Sequence, residues 1–233
     1  MKKFTFLMSL LLAFGATTSS AQILNRSGWK VSVSGECAAD GGGKAAIIDG
    51  DNNTFWHSRY NGGGGASGDN SEQLPQFFQL DLGSTQEFNK IGYVPRPGLK
   101  NGTVTAFKIY VSDSPFETAS ETNKAATIVS KLGDAAYTGS FTYKAGEAAS
   151  LKTASLGKNL TGRYVLFVAT TAIDGNPNTN SVYASCAEFY LSKDVDLTMR
   201  DITYHFKVNG VDYGSKTLIG VVNESEISTP TMN

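Results

Sequence analysis

Histidine, cysteine and tryptophan are scarce here, two of each in 233 residues, and proline is little commoner at six. So few imidazoles and thiols leave little from which to build a zinc-type site. Charge of one sign is lacking too: 20 Lys and Arg face 21 Asp and Glu, a formal net charge of −1. No basic run could neutralise a row of phosphates, so nucleic acid is not an expected partner. Long stretches of helical period are missing, as are a zinc-protease helix and a nucleophile elbow. The chain is expected to bind rather than catalyse. What is plentiful is glycine, 25 residues, alongside 40% hydrophobic and 11% aromatic side chains, the composition of a loop-rich β protein.

Lys2 and Lys3, an apolar stretch over residues 4–14, and Ser19-Ser20-Ala21 before Gln22 read as a secretory signal peptide over residues 1–21. The apolar stretch is too short to span a bilayer, and no cysteine at the cleavage point could accept lipid. The mature product is expected to be secreted, periplasmic or at the cell surface, without membrane insertion. In such a compartment an even cysteine count makes a Cys37–Cys186 disulfide the default expectation, with two buried free thiols as the alternative.

Downstream, short alternating or β-branched runs recur between Gly, Asn, Asp and Pro clusters, the pattern of an antiparallel sandwich. Residues 76–82 place Phe78, Leu80 and Leu82 on one face, and residues 106–112 repeat the device with Phe107, Ile109 and Val111. Residues 163–169 are apolar on both faces, as in a central strand. Residues 88–94 and 183–191 complete the core candidates. Gly63, Gly65 and Gly68 match the spacing of a dinucleotide-binding turn, but without a strand and helix around them the match is coincidental. From residue 195 to 233 the texture changes to a β-hairpin turning at Asn209-Gly210, either docked on the sandwich or opening a second β module left incomplete. His205 on its first strand is expected to face solvent.

The stretch richest in chemistry is Ile48-Asp49-Gly50-Asp51-Asn52-Asn53-Thr54, followed by Phe55-Trp56-His57-Ser58. Carboxylates, carbonyls and a hydroxyl crowd into a few residues, which suits either a calcium ion or an ordinary Asx-rich turn. Trp56 is expected in the core.

That run, with Gln76-Phe77-Phe78-Gln79-Leu80-Asp81-Leu82-Gly83, Ile91-Gly92-Tyr93-Val94-Pro95-Arg96 and Ala187-Glu188-Phe189, resembles the coagulation factor V/VIII type C (discoidin-like) domains, and most of all their bacterial carbohydrate-binding modules of family 32. The resemblance covers residues 25–194. It implies an all-β, eight-stranded jelly-roll sandwich with structural calcium and a sugar site at one end. The implied calcium ligands are the Ala46 carbonyl, Asp49, Asp51, Thr54, the Ala187 carbonyl and Glu188. It also implies that Cys186 comes within reach of Cys37. The implied sugar ligands are His57, Arg96, Asn101 and the stacking ring of Tyr183, with Asp40 as an acidic partner.

The residue types suit the task, because vicinal hydroxyls need fixed donors and acceptors while the CH face of a sugar prefers an aromatic ring. Each also has a plainer reading: Arg96 as a surface ion-pair partner, Asn101 as a turn residue, Tyr183 as a core aromatic, His57 as a satisfied supporting imidazole. The function expected is a secreted, non-catalytic module for terminal galactose or N-acetylgalactosamine glycans, including those of a cell-surface glycoprotein. The alternative is an adhesion or protein-receptor domain of the same superfamily. Lipid binding is disfavoured, since the loops lack exposed apolar tips with a basic surround.

Overall fold

The computed structural model describes residues 21–223; the proposed signal peptide falls almost wholly outside them. Fourteen strands follow one another along the described chain. The first five are short: β1 Gln22–Ile23, β2 Lys30–Val33, β3 Gly35–Cys37, β4 Trp56–His57 and β5 Ala66–Gly68. Two long ones follow, β6 Gln76–Val94 and β7 Asn101–Ser112, then the helix α1 Ala125–Lys131. After β8 Tyr137–Ser140 come β9 Lys152–Asp174, β10 Asn176–Ser181, β11 Ser185–Cys186 and β12 Glu188–Lys193. A hairpin of β13 Arg200–Val208 and β14 Val211–Val221 ends the described chain.

Ten strands form one curled network in the order β1-β12-β6-β9-β7-β11-β4, with β2 on β6, β8 on β7 and β10 on β9. The chain is a β-sandwich of jelly-roll type, as expected. The strand boundaries differ from the expected ones in an instructive way. The runs at residues 76–82 and 88–94 are two halves of the single strand β6, and residues 163–169 belong to the 23-residue β9. Hydrogen bonding continues through the corner because Gly83 adopts φ 80°, which lets the strand bend without ending, and the β6–β9 register slips between Asp81 and Gln86.

Alternation does aim Phe78, Leu80, Phe107 and Ile109 inward, where each is fully buried. Phe78 stacks on Phe167 at 4.9 Å between ring centroids, Phe107 on Phe167 at 5.1 Å, and Tyr93 on Phe141 at 5.3 Å. Trp56 closes this core edge-on to Phe78, its indole N–H donating to the Gly35 carbonyl at 2.9 Å. The opposite face of β6 is not left to solvent. Phe77 packs there with Leu166, Val168, Ala125 and Ile128, so α1 and the segment before it cover the face opposite Phe78, Leu80 and Leu82. Buried Asp69 holds that helix by accepting the Ala125 N–H at 2.6 Å.

The hairpin turns at Asn209-Gly210, and its base joins the sandwich through Leu197 and Val222, which are buried with Val94, Ala187 and Tyr190. Asn52 in the acidic turn donates to the Gly220 carbonyl at 3.0 Å. His205 is exposed.

Candidate functional site

Three short pairings bring distant residues to one end of the sandwich. β4 pairs with β11, His57 opposite Ser185, and β11 pairs in parallel with β7, Ser185 opposite Thr103. Ser58 locks the first contact: its N–H donates to the Ala184 carbonyl at 2.8 Å, and its hydroxyl accepts the Ala184 N–H at 3.0 Å. Gly102 permits the second. With φ 86° and a Cβ that would stand 3.0 Å from the Ala184 and Ser185 backbone, only glycine lets β7 approach β11 so closely. His57, Tyr183 and Asn101 therefore converge, and the turn after β6 adds Arg96.

His57 is 1% exposed. Its Nδ1 lies 2.7 Å from the Ser58 carbonyl oxygen, which can only accept, so Nδ1 carries the proton and Nε2 is left as an acceptor. Burial pulls the imidazole's pKa below its ordinary value, aided by the Arg96 charge, so the ring is neutral at neutral pH. Nε2 is buried with no hydrogen-bond partner in the protein. The rings of Tyr60 and Tyr183 flank it at 5.2 and 5.4 Å and lie 5.8 Å from each other.

Arg96 lies across the Phe55 ring, 4.2 Å from its centroid, and donates through Nη1 to Asn101 Oδ1 at 2.8 Å. That bond turns the Asn101 oxygen toward the guanidinium, and the Asn101 side chain also lies beside the His57 ring. The Arg96 Nε is buried without a partner. Asp40 lies within electrostatic reach of His57, Arg96 and Tyr60. All five expected sugar ligands thus occupy one neighbourhood. Tyr60 and Phe55 were missed as site residues. Tyr60 had a faint signal, an aromatic three residues after His57 leading into Gly62-Gly63-Gly64-Gly65, whereas Phe55 carried no signal beyond its place beside Trp56.

Residues 49–54 fold as a nest of Asx bonds. The Asp51 N–H donates to Asp49 Oδ1 at 2.8 Å, Thr54 Oγ1 to Asp49 Oδ2 at 2.7 Å, and the Thr54 N–H to the Asp51 carbonyl at 3.1 Å. Glu188, fully buried, accepts the Gly50 N–H at 2.5 Å and forms an ion pair with Arg26, which in turn covers the Tyr190 ring at 4.0 Å. Burial pushes the Glu188 carboxyl up to about 8, despite Arg26 and with the Asp49 carboxyl within hydrogen-bonding reach.

The expected cluster of three carboxylates is not formed. Asp51 turns its carboxylate away to the Asn53 backbone and side-chain amides at 2.9 and 2.8 Å, because the Asx turn satisfies it locally. Among the described residues no three Asp, Glu, His or Cys side chains gather as a metal cluster. What does meet is two carboxylates, Asp49 and Glu188, beside the Thr54 hydroxyl and the Asp51 carbonyl; Ala46 sits in the adjoining 3-10 turn and Ala187 next to Glu188. Two carboxylates in contact, one of them buried, together with neutral oxygens, suit a hard cation.

The disulfide is also corrected. Cys37 and Cys186 are free, buried thiols. Cys186 donates to the Glu188 carbonyl at 3.4 Å, and Cys37 accepts the Tyr60 N–H at 3.3 Å, so each sulfur is held in its own pocket. Their strands lie in different sheets, β3 pairing with β5 and β11 with the main network.

A cavity of about 430 Å³ opens where the hairpin meets the acidic turn and another of about 330 Å³ between that turn and Pro95–Gly98, and neither is lined by His57 or Arg96.

This arrangement of sandwich, acidic turn and end-loop cluster agrees with a direct match: residues 30–189 fit the F5/8 type C domain. The chain belongs to that family. Among solved structures it is similar to the Clostridium perfringens module CpGH89CBM32-5 in complex with GalNAc-β-1,3-galactose, at 27% identity and TM-score 0.53 over 73% of this chain and 99% of that one. A second, CBM32-3 from a family 31 glycoside hydrolase of C. perfringens, gives 25% identity and TM-score 0.54 over 74% and 95%. The family 32 module of C. perfringens NanJ, in complex with galactose, shares the fold at 22% identity and TM-score 0.51 over 75% and 100%. A galactose oxidase of Gibberella zeae is 30% identical over 102 residues, which is 43% of this chain and 14% of the oxidase. The chain thus spans about a seventh of that relative's length.

Proposed function

We propose that this F5/8 type C domain is an exported, non-catalytic carbohydrate-binding module for glycans ending in galactose or N-acetylgalactosamine. The observation that carries the reading is the buried, unpartnered Nε2 of a neutral His57, facing a neighbourhood that also holds Arg96, Asn101 and Tyr183. A sugar hydroxyl is both donor and acceptor, so one hydroxyl can give its proton to Nε2 and accept from the guanidinium. A second can accept from the Asn101 amide, while the CH face of the ring lies on Tyr183. Asp40 supplies a further acceptor. The complex of the similar C. perfringens module with GalNAc-β-1,3-galactose supports galactose-type sugars as the first ligands to try. The His57 Nδ1–H goes to a backbone carbonyl rather than to a carboxylate, which suits a fixed hydrogen-bonding group better than a proton relay.

Calcium completes the proposal. Asp49, Thr54, Glu188 and the carbonyls of Ala46, Asp51 and Ala187 would hold it, tying the acidic turn to β12 and so stiffening the segment that leads into His57. With few groups touching the sugar and water competing for each hydroxyl, affinity should be weak, roughly millimolar to tens of micromolar. Repeated ligands would then raise avidity.

The test is a glycan array with the purified chain and calcium, repeated with Arg96→Ala. Selective capture of galactose-type termini by the wild type and its loss in a folded variant is the expected result. A blank array from folded protein would overturn the reading in favour of a protein-receptor module.

A further inference from the structure

The neighbourhood of His57 contains one guanidinium and two carboxylates that no ion pair absorbs. Asp174 closes the last register pair between β7 and β9, opposite Asn101, and so stands beside the residue that holds Arg96. Asp40 ends the 3-10 turn Ala38–Asp40, and the carbonyl of the next residue, Gly41, accepts the Phe55 N–H at 2.8 Å, under the ring that carries Arg96. The backbone thus delivers each acid to the guanidinium from a different element. Both lie within electrostatic reach of Arg96, and Asp40 also of His57 and Tyr60. Among the described residues neither side chain takes part in an ion pair. Of the other nearby cations, Arg59 pairs with Glu121 and donates to the Gly68 carbonyl, whereas Lys100 is exposed and its stem passes alongside Gly98.

We propose that the site selects sugars by charge, admitting neutral and amine-bearing sugars and turning away acidic ones, such as uronates and sialylated or sulfated termini, through Asp40 and Asp174. The inference rests on the sugar-binding reading and extends it to a ligand class. A lone arginine would favour an anionic sugar. Here its Nη1 is committed to Asn101, its face to Phe55, and two carboxylates offset its field, so an incoming anion meets a net negative surround while losing water. A neutral hydroxyl is indifferent to that field, and an ammonium is drawn by it. Because Asp174 is exposed and Asp40 half-buried, the discrimination is a matter of field rather than fit and should be sensitive to salt.

The experiment titrates the full chain at pH 7, by NMR or calorimetry, with methyl β-galactoside, galactosamine and galacturonate, in low and high salt. Galacturonate should bind at least about tenfold more weakly than the galactoside, and galactosamine at least as well. In Asp174→Asn the galactoside affinity should stay within about twofold while galacturonate gains roughly three- to fivefold; high salt should narrow the gap in the wild type. Equal binding of galacturonate and galactoside by the wild type, or an unchanged gap in Asp174→Asn, would overturn charge selection and leave sugar binding standing. Failure of every galactose-type sugar to bind would overturn the sugar-binding reading itself.

Discussion

The guanidinium of Arg96 lies over the ring of Phe55, 4.2 Å from its centroid, while its Nη1 donates to Asn101. A cation on an aromatic face is worth about 0.5–2 kcal/mol, depending on how dry the pair is. Phe55→Leu should therefore weaken galactose binding about three- to tenfold with the fold retained, and Phe55→Tyr should nearly restore it. Titration of both variants checks this; equal losses in the two would remove the stacking argument.

Binding should depend on pH through His57. Burial holds its pKa below the ordinary histidine value, so the neutral, accepting ring prevails at and above neutrality. As pH falls through the depressed value, Nε2 gains a proton and can no longer accept from a sugar hydroxyl. The folded state also loses stability in that range, because the unfolded chain takes up the proton first. Affinity measured from pH 8 downward should be flat to about neutrality and decline only on the acid side; a decline that begins above pH 7 would contradict the lowered pKa that burial imposes on His57.

Asp49 ties the acidic turn to Thr54 and meets Glu188. If calcium binds there, Asp49→Ala should lower the melting temperature by several degrees and abolish its response to a chelator, whereas the wild type should lose stability when calcium is removed. A wild-type melting curve indifferent to chelator and to added calcium would show that Arg26 alone offsets the Glu188 charge.

Both thiols are buried, and burial raises the pKa of each. A thiol reagent should find none in the native protein and two after denaturation without reductant. Two fewer mass units in the oxidised, denatured chain would instead reveal a disulfide.

The sequence by itself determined the fold class and the cast of the site. Alternation at residues 76–82 and 106–112 could be read locally because a strand buries every second side chain whatever it pairs with. The ordered motifs around Asp49, Arg96 and Glu188 named the family, and the residues proposed to hold the sugar were taken from that resemblance one by one. Local patterns could not tell that residues 76–94 form one bent strand, since the bend depends on what lies across from Gly83 in β9. Nor could they tell that α1 covers the second face of β6, or that Asp51 turns its carboxylate inward to its own loop.

The tertiary structure decided the partnerships. Only the β4–β11–β7 pairing brings His57, Tyr183 and Asn101 together, and only packing lays Phe55 under Arg96 and sets Tyr60 against His57. Which charge offsets Glu188 was equally invisible, because Arg26 lies 162 residues away in the chain. A side chain's identity is local, but its protonation, its partner and its exposure are set by neighbours from other strands, and these meet only when the sandwich closes.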